Sequence, residues 1–549
     1  MLHYKLNEMK KIIYILLILI TGSSCNKLEL KPLDKLSEAD IWNDPLLIRL
    51  YVNASYNTLQ HGFRQDLLSA TTDEMYNIHN WTNLRIVQTG AVTADNVAGI
   101  GGKVNYFNFA YNNIRNINVF FSKIDAAPGD NTFKDGVKAE MMFLRANLYA
   151  NLIWRYGGVP LVTNVFALND DFKVSRASYD DCVKFIVSEL DVAAGLLPAD
   201  QSNNQQGLAS ANTCKALKSR VLLYSASELN NPTHDQNKWK AAADASEALL
   251  NAGYSLNPDY QGTFLTNNKE IIFARYFTQA NNTNFNLEQG RNGSDGWGAH
   301  NPTQNLVNAY EMKATGELPF TEQADGSLLL NPASGYDQNK PYEGRDPRFD
   351  ASILHDGSVW AGRETESYHG GKDSPEGSQG WNSSLTSYYL KKFLIESIPP
   401  AGSTVKPTNP WIFFRYAEIL LNYAEAKFEL GDETTAREYL NKVRSRPSVN
   451  MPPVNDSGEK LKKRIQNERR IELAFEEHRF FDVRRWKIAS STESKSLLGM
   501  NIQKPGSVKT YEFVKITDRV FKDANYLLPI PRAEVDKSQG SLPQNPGYE

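Results

Sequence analysis

Apolar residues recur along most of the chain at a spacing near 3.6, the period of an amphipathic helix. Segment 138–156 shows it most clearly, since Met141, Leu144, Leu148 and Leu152 share one helix face. The Gly-Gly-Val-Pro sequence that follows at 157–160 is incompatible with a continued helix. We predict helices at 46–54, 106–124, 138–156, 179–196, 211–229, 239–252, 303–312, 414–430, 433–446 and 460–486.

Between residues 257 and 409 the helical period fades, and Gly, Asn, Ser and Pro become frequent. The short apolar run at 270–277 is typical of a strand. Two stretches, 281–301 and 370–384, are rich in Gly, Asn or Ser and predict long loops. A large loop-rich segment inside a helical protein is a natural place for a binding surface.

Helical order returns near residue 410. The pair 416–431 and 434–446, joined by a Gly-Asp turn, has the pattern of a tetratricopeptide unit, with Ala424 and Ala436 permitting close helix approach. The predicted fold class is therefore mostly α, with tetratricopeptide-like helix pairs as scaffold, a few short strands and a loop-rich, irregular binding face. We expect an N-terminal helical part, 25–256, and a C-terminal part, 257–549, packed into the same globular unit.

The N-terminus has the features of a secretory signal. Lys5, Lys10 and Lys11 precede an apolar run at 12–20, which is too short to span a bilayer, and small residues follow up to Cys25. This ending resembles the lipobox of bacterial lipoproteins, although Gly22 stands where a leucine is usual. We predict a lipoprotein signal peptide at 1–24 and a lipid-modified Cys25; the alternative is a secreted protein with an incidental cysteine.

Composition excludes several classes of protein. Among 549 residues, 60 are basic and 63 acidic, and both signs are spread along the chain, so the concentrated positive field of a nucleic-acid-binding protein is missing. Beyond the N-terminal run, no apolar stretch is long enough for a membrane span. Cys182 and Cys214 lie in apolar, helix-like contexts that favour buried free thiols over a disulfide. No cofactor or metal is predicted; calcium stays open, since loop carboxylates are plentiful but lack EF-hand spacing.

Aromatic residues in loops are the best indication of a ligand. Sugar rings present apolar C–H faces that stack on aromatic rings, and their hydroxyl groups bind short polar side chains. Segment 72–85 supplies both, with Tyr76 and Trp81 beside Asn80 and Arg85. We predict that these four residues contact a glycan; the alternative for Trp81 is packing against the helical core.

A second aromatic signal lies in the loop-rich segment. Trp297 stands between glycines with few apolar neighbours to bury it, and Arg291 is predicted as a polar partner from its adjacency. Trp360 and Trp381 lie in Gly- and Ser-rich loops and are predicted to extend the same binding surface. The alternative for each indole is again packing in the interior.

The most charged segment, 467–487, suggests an active site but has a structural explanation. Glu468, Glu472 and Glu476 follow at i,i+4 spacing, and His478 is an acid–base candidate. Five arginines interleave with them, so opposite charges can pair at helical spacing and hold the carboxylate pKa values low. We therefore predict a lattice of salt bridges that joins helices, and no catalytic residue.

Several segments together resemble the SusD/RagB family, the substrate-binding lipoproteins of Bacteroidetes outer membranes. They are FLRA at 143–146, YGGVPL at 156–161, GRDPR at 344–348, RYAEILL at 415–421, ERRIELAFE at 468–476, HRFFD at 478–482 and LLPIP at 527–531. The resemblance implies a helical tetratricopeptide-type scaffold and a protein that binds a nutrient, usually a glycan, without chemistry. It also implies a lipid-anchored position on the cell surface, as a lid over a TonB-dependent, SusC-like transporter.

The resemblance also implies positions for the ligand. In the family, one glycan-binding aromatic follows a Thr-Asp-Glu stretch, which here matches Trp81 or, as the alternative, Tyr76. Another is a Gly-Trp that precedes a helix, which matches Trp297. Three rival functions remain: uptake of peptides, as in RagB-type members, glycoside hydrolysis by two facing carboxylates, and a structural adaptor that binds protein.

Overall fold

The computed structural model describes residues 38–549, except 168–169, 171–172, 202–204 and 324–326. The predicted signal peptide and Cys25 lie outside the described residues. The scaffold helices are α1 (Pro45–Ser55), α2 (Phe107–Ile124), α3 (Asn131–Tyr156), α4 (Tyr179–Leu196), α5 (Ala211–Ala226), α6 (Gln236–Leu250), α7 (Tyr416–Glu429), α8 (Glu433–Arg444), α9 (Gly458–Glu472) and α10 (Arg479–Arg485). Shorter helices occur at Glu38–Ile41, Arg85–Gln88, Phe285–Gln289, Gln304–Val307, Pro347–Ser352, Ala489–Thr492 and Arg532–Lys537.

The scaffold is a succession of helix pairs. From α2 to α6 each helix packs against the next, and α7 packs against both α6 and α8, although 165 residues of chain separate α6 from α7. Ala424 and Ala436 are fully buried, which allows the α7–α8 approach. The predicted mostly α fold on tetratricopeptide-like helix pairs is confirmed. In the described part of the chain, no helix is both long and apolar enough to cross a bilayer.

The ends of several helices differ from the predicted ones, for local reasons. Helix α3 begins seven residues earlier than predicted, because the Asp130 side chain accepts a hydrogen bond from Phe133 N at 2.8 Å and caps it. Helix α7 begins at Tyr416 rather than 414, because the preceding residues form a strand. The helix predicted at 303–312 is only one turn, Gln304–Val307.

The prediction of one long helix at 460–486 is wrong. A turn separates α9 from α10, and in this turn Phe475 and Glu477 adopt φ values of 66° and 68°. Lys392 Nζ donates to the carbonyl oxygens of Glu472 and Ala474 at 3.1 and 2.8 Å, so the end of α9 is satisfied from another part of the chain. The charged residues therefore keep a helical period in the sequence across a turn, and that turn is imposed by tertiary contacts.

The strands are short and pair in twos, all antiparallel. They are β1 (Met75–Asn77) with β3 (His300–Pro302), β2 (Ile271–Arg275) with β10 (Trp411–Arg415), β4 (Phe320–Glu322) with β5 (Leu328–Leu330), β6 (Ile353–Leu354) with β9 (Tyr389–Leu390), β7 (Val359–Trp360) with β8 (Arg363–Glu364), and β11 (Leu497–Gln503) with β12 (Thr510–Thr517). The strand predicted at 270–277 is β2.

A buried lattice of ion pairs joins the C-terminal helices to the rest of the fold. The Glu472 carboxylate accepts from Arg348, Arg415 and Arg446 at 2.7–2.8 Å, and all four side chains are at most 1% exposed. Burial raises the pKa of Glu472, but the three guanidinium groups outweigh burial and hold that pKa well below its usual range. The predicted structural lattice is confirmed.

His478 belongs to the same buried region. Burial and the charges of nearby arginines, Arg220 first, lower its pKa well below the usual value, so the imidazole stays neutral in the interior. Cys182 and Cys214 are both buried free thiols, as predicted.

The lattice also holds the start of β1. Asp73 accepts from Arg470 at 2.7 Å and from Arg479 at 2.8 and 2.9 Å, and Glu74 accepts from Phe475 N at 3.3 Å. Both acidic residues immediately precede β1. The loop that follows β1 therefore begins from a rigid position.

Candidate functional site

The β1–β3 pair brings two distant loops side by side. Tyr76 pairs with Asn301 and Asn77 with His300, and Ile78 N donates to the carbonyl of Ala299 at 3.1 Å. The loop at 78–85 leaves the end of β1, and the loop at 290–298 enters the start of β3. Their tips therefore meet, although more than 200 residues separate them in sequence.

The first loop is shaped by its own polar side chains. Asn77 Oδ1 accepts from the backbone N–H groups of His79 and Asn80, at 3.0 and 2.8 Å, which turns the chain sharply after the strand. Asn80 and Asn83 have φ values of 52° and 55°, a region that asparagine tolerates better than most residues. Trp81 lies between these two asparagines at the tip.

Arg85 and Tyr76 brace this loop from beneath. The Arg85 guanidinium donates to the carbonyl oxygens of Asn77 and Ile78, at 3.0 and 2.5 Å, and lies 4.7 Å from the centre of the Tyr76 ring. Asn80 Oδ1 accepts from Arg85 N at 3.3 Å. The side-chain hydrogen bonds of Arg85 thus go to the backbone of its own loop.

The second loop requires glycine on both sides of Trp297. A Cβ on Gly296 would lie 2.2 Å from the backbone of Gly290, and one on Gly298, which has φ 49°, would lie 2.5 Å from the Asn382 carbonyl oxygen. Trp297 N donates to the carbonyl of Leu287 at 2.8 Å. The glycines therefore serve close backbone packing, which holds the indole at a defined place.

A third loop, 366–382, closes against the second. Gln379 Nε2 donates to Asp295 Oδ1 at 2.7 Å, and Asn292 Nδ2 donates to the carbonyl of Ser378 at 2.8 Å. The 3₁₀ turn Gly380–Asn382 then carries Trp381, whose ring centroid lies 5.8 Å from that of His79 in the first loop.

Three of the four predicted tryptophans, Trp81, Trp297 and Trp381, form with His79 one aromatic surface, which we call the platform; the His79 ring contacts both Trp81 and Trp381. The Trp81 and Trp297 rings meet edge to face, with centroids 5.6 Å apart and planes at 86°. Trp81 is 50% exposed, Trp381 is 70% exposed and Trp297 is half-buried. Exposed indoles of this number are unusual on a soluble protein and indicate a binding surface.

Two predicted contact residues are not at the surface. Tyr76 is buried beneath Arg85, in β1, and does not face the platform. Arg291 is only 2% exposed, and its guanidinium donates to Thr365 Oγ1 and to the Trp360 carbonyl at 2.8 and 2.9 Å. The prediction that these two side chains contact a ligand is wrong in this structure, because both are used to hold the loops in place.

Trp360 lies apart from the platform, on β7. Its ring is half-buried, packs against the main core and has Lys391 Nζ at 5.5 Å from its centre. Arg291 connects the β7–β8 hairpin to the second platform loop through the Trp360 carbonyl. Asn80 is half-exposed next to Trp81 and remains a candidate for direct contact.

One platform residue escaped prediction. His79 stacks on Trp81, with ring centroids 4.3 Å apart and planes at 5°, and its centroid is 5.8 Å from that of Trp381. Its Nε2 lies 2.9 Å from the Trp297 carbonyl oxygen. The sequence signal was its place between Asn77 and Trp81, but the contacts with Trp297 and Trp381 are tertiary.

Charged groups around the platform already have partners. Arg64 pairs with Asp66 at 2.9 Å, Asp295 binds Gln379, and Glu288 accepts from Gln65 at 3.3 Å. Asp66 lies against Gly101, whose N–H donates to the carbonyl of Thr82, next to Trp81. Near the platform, Arg64 is thus held in an ion pair, and the Arg85 guanidinium donates to carbonyl oxygens of its own loop.

The larger cavities found in the described residues lie elsewhere. One of them, about 550 Å³, is lined by Asp73, Asn305, Phe320 and Arg470, and none of five such cavities has a platform tryptophan in its lining. Within the described ranges, no group of three or more His, Cys, Asp or Glu is placed to hold a metal ion. The platform is thus an open aromatic surface, suited to a long ligand that extends beyond it.

Comparison with known proteins identifies the family of this chain. The profile of the SusD family matches residues 269–548, and a second profile, described as starch-binding and associating with the outer membrane, matches residues 28–223. The chain belongs to the SusD family. The resemblance drawn from sequence segments is thereby confirmed.

Individual SusD-family relatives cover almost the whole chain. A SusD-like protein of Bacteroides fragilis is 31% identical, with a TM-score of 0.79 over 94% of this chain and 100% of the other. A SusD-like carbohydrate-binding protein of the same species is 26% identical, with a TM-score of 0.75 over 92% and 99% of the two chains. SusD-like protein P2 of Formosa agariphila is 24% identical over 98% of this chain and 99% of its own length.

Proposed function

We propose that this SusD-family protein captures a neutral glycan on the platform and passes it to a TonB-dependent outer-membrane transporter without cleaving it. The observation that carries the proposal is the convergence of Trp81, Trp297 and Trp381 from three separate loops, with two of the indoles at least half exposed. Membership of a starch-binding, outer-membrane-associated family supports it.

The platform has the chemistry that sugar rings need. Each indole offers a flat apolar face for the C–H face of a pyranose, and such contacts contribute on the order of 1 kcal/mol beyond burial. A few such contacts, counted together with the apolar area they bury and less the cost of ordering the ligand, give a binding free energy of about 4–6 kcal/mol. This corresponds to a Kd of about 1 mM to tens of micromolar. Asn80 supplies an amide beside Trp81, and Trp360 is a candidate for extending the surface.

The paired charges at the border favour an uncharged ligand. An acidic glycan gains most from an unpaired Arg or Lys, whereas Arg64 is paired with Asp66 and Arg85 is bound to carbonyl oxygens. Desolvating a uronate against an aromatic surface without a new partner is unfavourable. We therefore expect a chain of neutral sugars.

Weak binding suits a tethered protein. We propose that lipid on Cys25 holds the mature chain at the outer-membrane surface, where two or more acyl chains give stable anchoring. Closure over a transporter then raises the effective concentration of the captured glycan. No chemistry is required: Glu472 is buried, and the Glu476 side chain, 5% exposed, is paired with Lys392 and Arg415.

The test is affinity electrophoresis of the soluble mature protein through gels that contain single polysaccharides. We expect retardation by at least one neutral polysaccharide, little change when salt is added, and none by alginate or polygalacturonate. The double variant Trp81→Ala/Trp381→Ala is expected to migrate as in a ligand-free gel, because two stacking faces are lost. Both side chains are exposed, so its melting temperature should stay within about 2 °C of the wild type.

The rival functions give different results in the same assay. Release of reducing ends from the retarding polysaccharide indicates a hydrolase, and binding of oligopeptides without any polysaccharide indicates peptide uptake. Retardation of the double variant equal to that of the wild type removes the platform from the proposal.

A further inference from the structure

His79 contacts all three platform tryptophans, two through their rings and one through its backbone. Its ring is parallel to Trp81, its centroid lies 5.8 Å from that of Trp381, and its Nε2 lies 2.9 Å from the Trp297 carbonyl oxygen. The three tryptophans come from separate loops, so a common contact constrains their mutual arrangement.

We propose that His79 is a positioning residue that sets the orientation of the three platform tryptophans, acting through Trp81 and Trp297 rather than on the ligand. The expected effect of His79 on glycan binding rests on the proposed function, whereas the contacts that His79 makes are independent of it. The imidazole joins a loop that follows β1 to a loop that precedes β3, and it does so at the tip, beyond the last strand pairing.

The hydrogen bond defines the protonation state. A carbonyl oxygen only accepts, so His79 Nε2 carries the hydrogen and a second proton would add at Nδ1. The charged and titratable groups facing it are Arg85 in its own loop and His300 on β3. Burial lowers the pKa of His79, the bond to the Trp297 carbonyl opposes this, and Arg85 lowers the pKa further. Because the folded state resists protonation, the stability that neutral His79 contributes is lost as the pH falls below about 6.5.

Two replacements separate the ring from the hydrogen bond. His79→Phe keeps a ring to stack on Trp81 and loses the donor to Trp297; His79→Ala loses both. We expect glycan binding to weaken about threefold in the first and about tenfold in the second.

A double-mutant cycle tests whether His79 acts through Trp81. In a Trp81→Ala background, His79→Ala is expected to weaken binding by about threefold instead of tenfold, since the stacked partner is already gone. Equal tenfold effects in both backgrounds show that His79 contacts the ligand directly and overturn the proposal. If the His79→Phe variant binds the glycan as weakly as His79→Ala, stacking of the ring on Trp81 is not what positions the platform.

A titration without ligand tests the contact independently of the proposed function. An imidazolium in contact with an excited indole quenches its fluorescence by accepting an electron. We expect the wild type to lose emission as the pH falls, with a midpoint below 6.5 that is absent in His79→Phe and smaller in amplitude in Trp81→Ala, where Trp381 still faces the imidazole. A protein that binds no polysaccharide but shows this midpoint contradicts the proposed function and supports the His79 contact. A titration that persists unchanged in His79→Phe overturns the contact.

Discussion

Replacing Glu472 with alanine is expected to lower the free energy of unfolding by about 3–5 kcal/mol. The carboxylate is the common acceptor for Arg348, Arg415 and Arg446, all at most 1% exposed. Its removal leaves three buried cations with less compensation than before. Chemical denaturation of the purified mature protein measures the effect.

Asp244→Ala is the matched control for this prediction. Asp244 also pairs with a basic residue, Lys240, at 2.6 Å, but both side chains are more than half exposed on one helix face. Such pairs contribute a few tenths of a kcal/mol, so the control should unfold almost as the wild type does. If the two alanine variants unfold alike, the buried lattice does not stabilise the fold as argued.

Trp297→Ala is expected to abolish retardation by the best polysaccharide while changing the melting temperature by no more than about 2 °C. The Trp297 ring meets the Trp81 ring edge to face, and the Trp297 carbonyl oxygen accepts a hydrogen bond from His79 Nε2. The indole is half-buried against few apolar neighbours, so its loss removes a stacking face without opening a large cavity. Affinity electrophoresis and thermal melting on the same preparation give both values.

Val508→Ala serves as the control, because it removes an exposed apolar side chain that lies outside the platform. It should change neither value. Unaltered retardation of Trp297→Ala would remove this indole from the binding site. A large fall in its melting temperature would instead identify Trp297 as part of the core.

Local sequence patterns predicted much of the scaffold because a helix face and a cap are local properties. Helix α4 coincides with its prediction, and the Ala424–Ala436 approach followed from small residues at helical spacing. The arginine lattice was also predictable, since charges at i,i+4 spacing on an otherwise apolar face need partners. The partners themselves, such as Arg348 from 124 residues away, were not.

The binding residues were predicted less well, for a physical reason. A tryptophan in a polar or Gly-rich loop is recognisable from the sequence, and Trp81, Trp297 and Trp381 were proposed as ligand contacts on this ground. Whether an adjacent polar side chain faces ligand or backbone depends on contacts formed by distant segments. Arg291 is turned inward to the β7–β8 hairpin for this reason.

The sequence by itself determined the helical class, the family and the choice of loop tryptophans as candidates, because periodicity, motif order and composition are written along the chain. Only the tertiary structure decided that three of these indoles share one surface, that His79 joins them, and that the charged helix breaks at Phe475. Each of these depends on β1–β3 register or on hydrogen bonds between segments far apart in sequence, and no local pattern carries that information.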